Sequence, residues 1–383
     1  MTNPLTIQEV AKYPRPGTEG PRRFEFTPDN TSLLYLDSPP GSLVQQLWAY
    51  DLASGQRSQL SEIGGPHPAP LSREEELRRE RTRTRELGIT DFQVAPQAEA
   101  LTILVSLGGW LYLKQGENHF RKLDGTEGAL NARLSPDGQR VAFVRQNNLY
   151  VLELSGEAGP QALTADTEAG ITNGLAEYIA QEEMRIAFER VDNRHIPVYT
   201  ILHQGQSAGT GEIEEHRYPF TGEANDKVEL GVIYLPEPGA DNALPATYWV
   251  NLNLRRSGAE RPAPLEDGYL ARVAWQPEGH LIAQLESRNQ QNLKLVTYDP
   301  EEGSFQVMLE EQNQPWINLH DLTYHLKSGE TLLGSERTGF RHLYLLNNGE
   351  TRTLTSGDWL VTGVNRVDEQ NRAVYFTATK DTP

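Results

Sequence analysis

The chain contains no cysteine and no long run of apolar residues. Without cysteine, disulfides, thiolate metal sites and cysteine nucleophiles are excluded. Nowhere does an apolar run reach the length of about 18 residues that a membrane-spanning helix needs. Residues 1–20 also lack the basic start and apolar core of a signal peptide. These absences predict a cytoplasmic protein without a membrane partner.

Basic residues are few, since 35 Lys and Arg stand against 53 Asp and Glu and give a net charge of -18. An acidic surface repels a phosphate backbone, so we expect no nucleic-acid partner, and small cationic or neutral ligands fit better. The nine histidines are scattered, without the H-E-x-x-H spacing or a comparable ligand pattern. We therefore predict no metal site and no cofactor.

Glycine and proline are abundant, with 33 and 24 residues among 383. In a helix interior they cost about 1 and 3 kcal/mol relative to alanine, which excludes a long coiled coil or a helical bundle. The composition predicts a chain rich in strands and turns. Its length suffices for one large repetitive domain or for two or three smaller ones.

One pattern returns along the chain: a turn of the type x-Pro-Asp-Gly, an apolar strand, a polar gap and a second strand. Copies of it begin at Thr27, Ser135 and Gln276. The step from Pro96 to Pro136 is 40 residues, within the period of about 40–50 residues typical of four-stranded propeller blades. The pattern predicts an all-β fold, a β-propeller of about seven blades over residues 1–383, not all of them complete. A set of unrelated antiparallel sandwich domains is the alternative.

Two helical insertions are expected, near residues 72–88 and 174–184. In the first, Ser72 and Glu75 form a capping box, Gly88 supplies the stop, and arginines between 78 and 85 follow the acidic residues. This segment is either a solvated surface helix with pairs such as Glu74 and Arg78, or a source of an arginine that faces a pocket.

The second segment places two carboxylates beside an apolar stripe. Leu175, Tyr178 and Ile179 recur at helical spacing, and Glu182 and Glu183 continue that face. Adjacent like charges near apolar surface are costly unless a cation neutralises them. That cation is either an internal arginine or the charged group of a ligand. The residues themselves are compatible with both interpretations.

Three stretches of the chain carry a resemblance to a known family: NGLAEYIAQEEM at 173–184, RIAFERVD at 185–192 and SERTGFRHLYL at 335–345. With Arg217-Tyr218-Pro219 and the arginine-rich residues 77–88, they resemble the N-terminal propeller of the dipeptidyl peptidase IV family of serine peptidases, in the prolyl oligopeptidase clan. The resemblance implies that Glu182 and Glu183 hold the free ammonium of a peptide substrate. It also implies that an arginine near them orients a substrate carbonyl.

The chain departs from the family pattern in the segment that follows the glutamates. Residues 185–188 come directly after Met184, with no turn and no preceding strand, so one segment of this repeat is expected to be missing. The family usually has an aromatic run and a Ser-Pro-Asp turn there.

The family also needs a C-terminal α/β-hydrolase domain with a nucleophile elbow. The motif G-x-S-x-G occurs at 205–209, but no strand, turn and apolar helix surround it, so we do not expect Ser207 to be a nucleophile. We predict no catalytic residue and no hydrolase domain within residues 1–383.

The expected function is therefore that of a substrate-gating propeller of a dipeptidyl peptidase IV-like exopeptidase, inactive alone. Its expected partners are a peptide N-terminus, bound weakly, and a separate or missing hydrolase domain. The alternative is a non-catalytic propeller that acts as a binding or scaffold module.

Overall fold

A computed structural model describes most of the chain. The described residues are 6–11, 20–63, 83–84, 86–156, 158–175, 179–181, 184–202, 213–236, 243–254, 261–277, 279–319, 322–347 and 349–380. Within them, one short helix, α1, spans Ile7–Ala11, and strands make up the remaining regular structure.

The strands of the first half form three successive antiparallel sheets, called blades 1 to 3. Blade 1 contains β1 (Arg22–Phe26), β2 (Ser32–Asp37), β3 (Val44–Asp51), β4 (Arg57–Gln59) and, paired in parallel with β3, β5 (Leu87–Gly88). Blade 2 contains β6 (Phe92–Val94), β7 (Thr102–Leu107), β8 (Trp110–Gln115) and β9 (Arg121–Lys122). Blade 3 contains β10 (Leu130–Leu134), β11 (Arg140–Arg145), β12 (Asn148–Glu153) and β13 (Gln161–Ala162).

The second half continues the series with blades 4 to 7. Blade 4 contains β14 (Ile171–Asn173), β15 (Ile179–Gln181), β16 (Arg185–Asp192), β19 (Lys227–Tyr234) and β20 (Thr247–Val250), and the hairpin of β17 (Val198–Leu202) and β18 (Ile213–Arg217) falls between its strands in sequence. Blade 5 contains β21 (Gly268–Trp275), β22 (Leu281–Ser287), β23 (Asn292–Asp299) and β24 (Ser304–Gln312). Blade 6 contains β25 (Thr323–His325), β26 (Thr331–Ser335), β27 (His342–Asn347) and β28 (Glu350–Thr353), and blade 7 contains β29 (Val361–Asp368) and β30 (Ala373–Ala378).

This series of sheets confirms the all-β class and the blade repeat of a β-propeller. Four of the described sheets are meanders of four strands, blades 1 and 4 each have a fifth strand beside a path of four, and the pair β29–β30 follows as a seventh unit. Consecutive strands of a meander need only short turns, which the abundant glycine, proline, asparagine and aspartate provide.

The turns that define the repeat form as the sequence predicts. In blade 3, the Ser135 hydroxyl donates to the Asp137 carboxylate at 2.5 Å, and the Gly138 amide donates to the Ser135 carbonyl at 2.9 Å. Gly138 has a φ of +71°, and Asn30 takes the matching place in blade 1 with a φ of +55°. These residues tolerate the left-handed conformation that the turn requires.

The hydrophobic cores lie between successive sheets. One core joins blades 1 and 2 through Leu34, Leu36, Leu47, Ile89, Phe92, Ile103 and Val105, and another joins blades 2 and 3 through Leu104, Leu111, Leu113, Val141, Phe143 and Leu152. Blades 5 and 6 share Ile282, Leu295, Leu333 and Leu346, while blades 6 and 7 share Leu332, Leu343, Leu345 and Val361. Blades 2 and 6 therefore bury both of their faces, which explains the nearly continuous apolar runs of their central strands.

The chain divides into two compact units. The first comprises residues 1–166, 173–186 and 234–245, and it carries blades 1 to 3. The second comprises residues 167–172, 187–233 and 246–383, and it carries blades 5 to 7.

The predicted helix near 174–184 is wrong for residues 179–181, which form strand β15. This strand pairs with β16, so its backbone hydrogen bonds go to a neighbouring strand and not to the next helical turn. The expectation that residues 185–188 lack a preceding strand is also wrong, because β14 pairs with β16 and completes a four-stranded order.

The predicted helix near 72–88 is wrong at its C-terminal end, where Leu87 and Gly88 form strand β5. Gly88 pairs with Gln45 and has a φ of +72°. Glycine is needed here because the backbone lies close to β3, and not because a helix ends. Residues 71–82 and 85, which include most of the arginine cluster, lie outside the described residues.

No helix formed by the described residues has the length and the hydropathy needed to cross a bilayer.

Candidate functional site

The two glutamates that the sequence singles out, Glu182 and Glu183, lie outside the described residues. The residues on either side of their segment are described, and their contacts are well defined. Those contacts determine how the segment is attached to the sheets.

The segment is held on its N-terminal side by Asn131 of strand β10. The Asn131 side-chain amide donates to the carbonyl oxygen of Gly174 at 3.0 Å and to that of Leu175 at 2.7 Å. Asn131 has a φ of +48°, a backbone conformation that asparagine tolerates better than most residues. One side chain thus satisfies two consecutive carbonyl groups just after β14.

Asn173, directly before those two residues, is fully buried. Its backbone amide donates to the Asn147 carbonyl at 2.9 Å, and its side-chain amide donates to the Asp166 carboxylate at 3.0 Å. Both partners lie in the same compact unit as Asn173. The backbone therefore enters the glutamate segment from a position that two independent hydrogen bonds define.

The segment is held on its C-terminal side at Met184. Its carbonyl oxygen accepts a hydrogen bond of 2.8 Å from the Leu235 amide, and its sulfur accepts one of 3.2 Å from Nη1 of Arg140. Arg140 is in turn fixed by the Glu153 carboxylate, with Nε and Oε1 at 2.5 Å. The Arg140 side chain is 8% exposed and the Glu153 side chain is 27% exposed, so this ion pair is partly shielded from solvent.

Blade 3 contacts both ends of the glutamate segment, through Asn131 on β10 and Arg140 on β11. Neither residue was predicted from the sequence to belong to the site. Each contact bridges more than 40 positions in the chain, and nothing in the local pattern around Asn131 or Arg140 indicates it.

The other residues of the resembling motifs have structural contacts. Ser335 donates to the Glu311 carboxylate at 2.6 Å. His342 is buried, with Nε2 2.9 Å from the Gly357 carbonyl oxygen, and Nη1 of Arg217 donates to the Ile196 carbonyl at 2.7 Å. These contacts stabilise blade 6 and the loop before β17.

Of the arginines between 78 and 85, Arg83 is within the described residues, where it is exposed and has a φ of +53°. Its neighbour Glu86 forms an ion pair with Arg22 of β1. The prediction that one of these arginines contacts a substrate stays a prediction.

The G-x-S-x-G motif at 205–209 lies outside the described residues, but the strands beside it are described. Strands β17 and β18 pair antiparallel, with Leu202 opposite Ile213 and Val198 opposite Arg217. A nucleophile elbow joins a strand to a helix, whereas this motif joins the two strands of a hairpin. The prediction that Ser207 is not a nucleophile stays a prediction.

Within the described part of the chain, no group of three or more His, Asp or Glu side chains is arranged to hold a metal ion.

Comparison with known proteins identifies the family. Residues 107–383 match the family model of the dipeptidyl peptidase IV N-terminal region. The chain belongs to this family. Its members in this region fold as a β-propeller, so the sheets described above are propeller blades.

Two relatives illustrate the similarity. Dipeptidyl peptidase 8 of Mus musculus is 25% identical over 411 residues, which cover 82% of this chain and 45% of the relative. Dipeptidyl peptidase 4 of Trichophyton rubrum is 25% identical over 276 residues, which cover 65% of this chain and 33% of the relative. The chain thus matches less than half the length of each of these dipeptidyl peptidases.

A solved structure shows the same fold. The crystal structure of dipeptidyl peptidase 4 from Porphyromonas gingivalis superposes with a TM-score of 0.71 at 21% identity, over 99% of this chain and 53% of that chain. About half of that solved chain therefore corresponds to this one.

Proposed function

We propose that this chain is the substrate-gating propeller of a dipeptidyl peptidase IV-like serine exopeptidase, in which Glu182 and Glu183 bind the free N-terminal ammonium of a peptide. The observation that carries the proposal is the glutamate pair itself, which falls inside the family match and whose segment is fixed at both ends by Asn131 and Arg140. When both ends of a segment are fixed, the positions that its side chains can occupy are restricted, as a binding site requires.

The chemistry suits an ammonium. Two carboxylates each accept a charge-assisted hydrogen bond from one –NH₃⁺ group. An acetylated N-terminus has an uncharged amide with a single N–H, so it does not make both of these hydrogen bonds. If the distance between these carboxylates and a nucleophile is fixed, the nucleophile reaches the peptide bond after the second residue of the substrate. The relatives that the chain matches are dipeptidyl peptidases, in agreement with this geometry.

Catalysis needs a nucleophile, a base and an orienting acid from a hydrolase domain. We therefore expect residues 1–383 alone to release no dipeptide from a chromogenic Xaa-Pro substrate. Turnover that disappears in Ser207→Ala would contradict the proposal, because it would make that hairpin motif catalytic.

Ammonium binding is tested by titrating Ile-Pro and N-acetyl-Ile-Pro into the chain and following chemical shifts by NMR. We expect weak binding of the free dipeptide, in the millimolar range of about -4 kcal/mol, and no binding of the acetylated one. The double variant Glu182→Gln/Glu183→Gln should lose the difference between the two ligands.

A matched control is the pair Glu301 and Glu302, two adjacent exposed glutamates in the turn after β23. The variant Glu301→Gln/Glu302→Gln removes the same charge and should bind Ile-Pro normally. Equal binding of both dipeptides, or binding unchanged in the Glu182/Glu183 variant, would favour a propeller that acts as a scaffold module.

A further inference from the structure

A cavity of about 120 Å³ lies between blades 6 and 7. Its inner part is apolar, because Leu332 and Leu345 are buried there and the half-buried side chains of Leu326, Val367 and Val374 pack against the same core. The lining also includes two arginines and three acids: Arg352, Arg372, Glu330, Asp368 and Glu369. All of these residues belong to the second compact unit. The proposed gating function does not involve this cavity.

Three of the five charged groups already have partners within the protein. Nη1 of Arg372 donates to Oε2 of Glu330 at 3.4 Å. The two carboxylate oxygens of Asp368 accept from the backbone amide and from the side-chain amide of Asn371, at 3.0 Å each. These hydrogen bonds hold the pKa of the Asp368 carboxyl below its ordinary value. One cation and one anion of the lining are left for a ligand.

The remaining cation and anion are Arg352 and Glu369. Arg352 is exposed on β28, and its guanidinium forms no hydrogen bond or ion pair with a described residue. It lies opposite Leu345, which in turn lies opposite Leu332, so the three side chains share one face of blade 6. The Glu369 carboxylate accepts a hydrogen bond of 2.8 Å from the Lys327 backbone amide and forms no ion pair within the described part of the chain. Two opposite charges without ion-pair partners therefore border an apolar cavity.

We propose that this cavity binds a free α-amino acid with a branched aliphatic side chain, such as leucine, with its carboxylate on Arg352 and its ammonium on Glu369. A guanidinium donates to a carboxylate and a carboxylate accepts from an ammonium, so a zwitterion complements both groups. A fatty acid or an alkylamine complements only one of them. The ligand's side chain packs against Leu332 and Leu345. A dry cavity of about 150 Å³ holds a benzene ring, so this smaller cavity suits the four carbon atoms of an isobutyl group.

The ligand-side test compares L-leucine with three analogues that each lack one group. Leucinamide lacks the carboxylate, N-acetyl-leucine lacks the ammonium, and alanine lacks most of the aliphatic side chain. Isothermal titration of the full chain at pH 7 should show that each analogue binds at least about tenfold more weakly than leucine. Equal affinity for leucine and any one analogue, or no leucine binding at millimolar concentrations, would overturn the proposal.

The protein-side test removes one charge at a time. Arg352→Gln should abolish the preference for leucine over leucinamide, and Glu369→Gln should abolish the preference over N-acetyl-leucine. Both side chains are exposed, so neither replacement disturbs the core. The controls are Arg366→Gln and Glu301→Gln, at exposed residues outside the lining, which should bind leucine as the unaltered chain does. A preference that persists in Arg352→Gln or Glu369→Gln, or an equal loss in a control, would contradict the proposal.

The ammonium of leucine could also bind the glutamate pair of the proposed gating site, and one variant distinguishes the two sites. Glu182→Gln/Glu183→Gln removes that pair and leaves the lining of the cavity unchanged. This double variant should bind leucine as tightly as the unaltered chain. Loss of leucine binding would place leucine at Glu182 and Glu183 and overturn the assignment to the cavity.

Discussion

The side-chain amide of Asn131 donates a hydrogen bond of 2.7 Å to the carbonyl oxygen of Leu175, across 44 positions of sequence. The same amide also donates to Gly174, so blade 3 holds the chain where it leaves β14. The backbone of Asn131 has a φ of +48°. This position therefore needs a residue that tolerates the left-handed conformation and whose side chain donates two hydrogen bonds.

The two requirements of Asn131 can be separated by substitution. Asn131→Gly keeps the left-handed backbone accessible and removes the amide, so we expect a loss of about 1–2 kcal/mol in the free energy of unfolding. Asn131→Ala adds backbone strain and should lose roughly 1 kcal/mol more. Urea denaturation measures both. Asn30→Gly is the control, since Asn30 has a φ of +55° and its side chain makes no hydrogen bond to a described residue. A loss in Asn30→Gly as large as that in Asn131→Gly would contradict the assigned role of the amide.

Gly88 should tolerate no side chain. A Cβ built at Gly88 would lie 2.5 Å from the Gln45 carbonyl oxygen, and its φ is +72°. Gly88→Ala therefore combines a backbone clash with strain, and we expect it to lower the free energy of unfolding by about 3 kcal/mol or more. Gly41→Ala is the matched control, because Gly41 has a φ of +77° with nothing within 4 Å of its Cβ. It should lose only about 1 kcal/mol in thermal or urea unfolding. Similar losses in the two variants would show that the close approach of β5 to β3 is absent in solution.

His325 makes stability depend on pH. Burial lowers its pKa from 6.5 to about 4, so the unfolded chain binds a proton at this residue before the folded protein does. Its contribution is fully present above pH 6.5 and is lost as the pH falls to 4, by an amount of the order of 2 kcal/mol. His325→Gln should flatten this part of the profile in urea titrations at pH 7, 6 and 5. A profile in His325→Gln as steep as that of the unaltered chain would contradict this role of His325.

Glu229 joins two arginines in blade 4. Its carboxylate accepts from Arg190 at 2.8 Å and from two nitrogens of Arg261 at 2.7 Å each, and the Arg261 guanidinium lies 3.9 Å from the Trp249 ring centre. Glu229→Gln removes the charge between two guanidinium groups, so we expect a loss of about 2 kcal/mol in unfolding experiments. Glu310→Gln breaks an exposed pair with Lys294 and should cost less than about 0.5 kcal/mol. Equal effects would mean that the Glu229 cluster is no stronger than a surface ion pair.

The features predicted correctly from the sequence are the local ones. Turns such as the one at Ser135 are specified by residues within five positions, through the Asp137 carboxylate and the left-handed Gly138. In the strands beside these turns, apolar residues either alternate with polar ones or follow one another. Both patterns can be recognised without knowing which distant residues the strand contacts. Blade number and class followed from these turns and their spacing.

The predictions that failed concern segments whose structure depends on a distant partner. Residues 179–181 carry part of an apolar stripe that fits a helix, but pairing with β16 decides in favour of a strand. Leu87 and Gly88 likewise pair with Val44 and Gln45 of β3, from which more than 40 residues separate them. Such pairings override local propensity, and a single sequence does not reveal them.

In the candidate site, too, the residues with a local sequence signal were predicted and those that depend on distant contacts were not. Glu182 and Glu183 were recognisable because two adjacent acids beside an apolar stripe are unusual and match a family motif. Asn131 and Arg140 were not, because an ordinary asparagine and an ordinary arginine gain their importance only from contacts with Leu175 and Met184.

The parallel pairing of β5 with β3 has a consequence for protein engineering. Strand β4 leaves β3 at Gln59, and β5 returns to the same strand at Leu87, so the connection between them starts and ends on one sheet. Lengthening such a closed connection costs only about 0.6 kcal/mol for each doubling of its length. We therefore expect a tag, a reporter or a foreign loop inserted between Gln59 and Leu87 to leave the strand register of blade 1 unchanged.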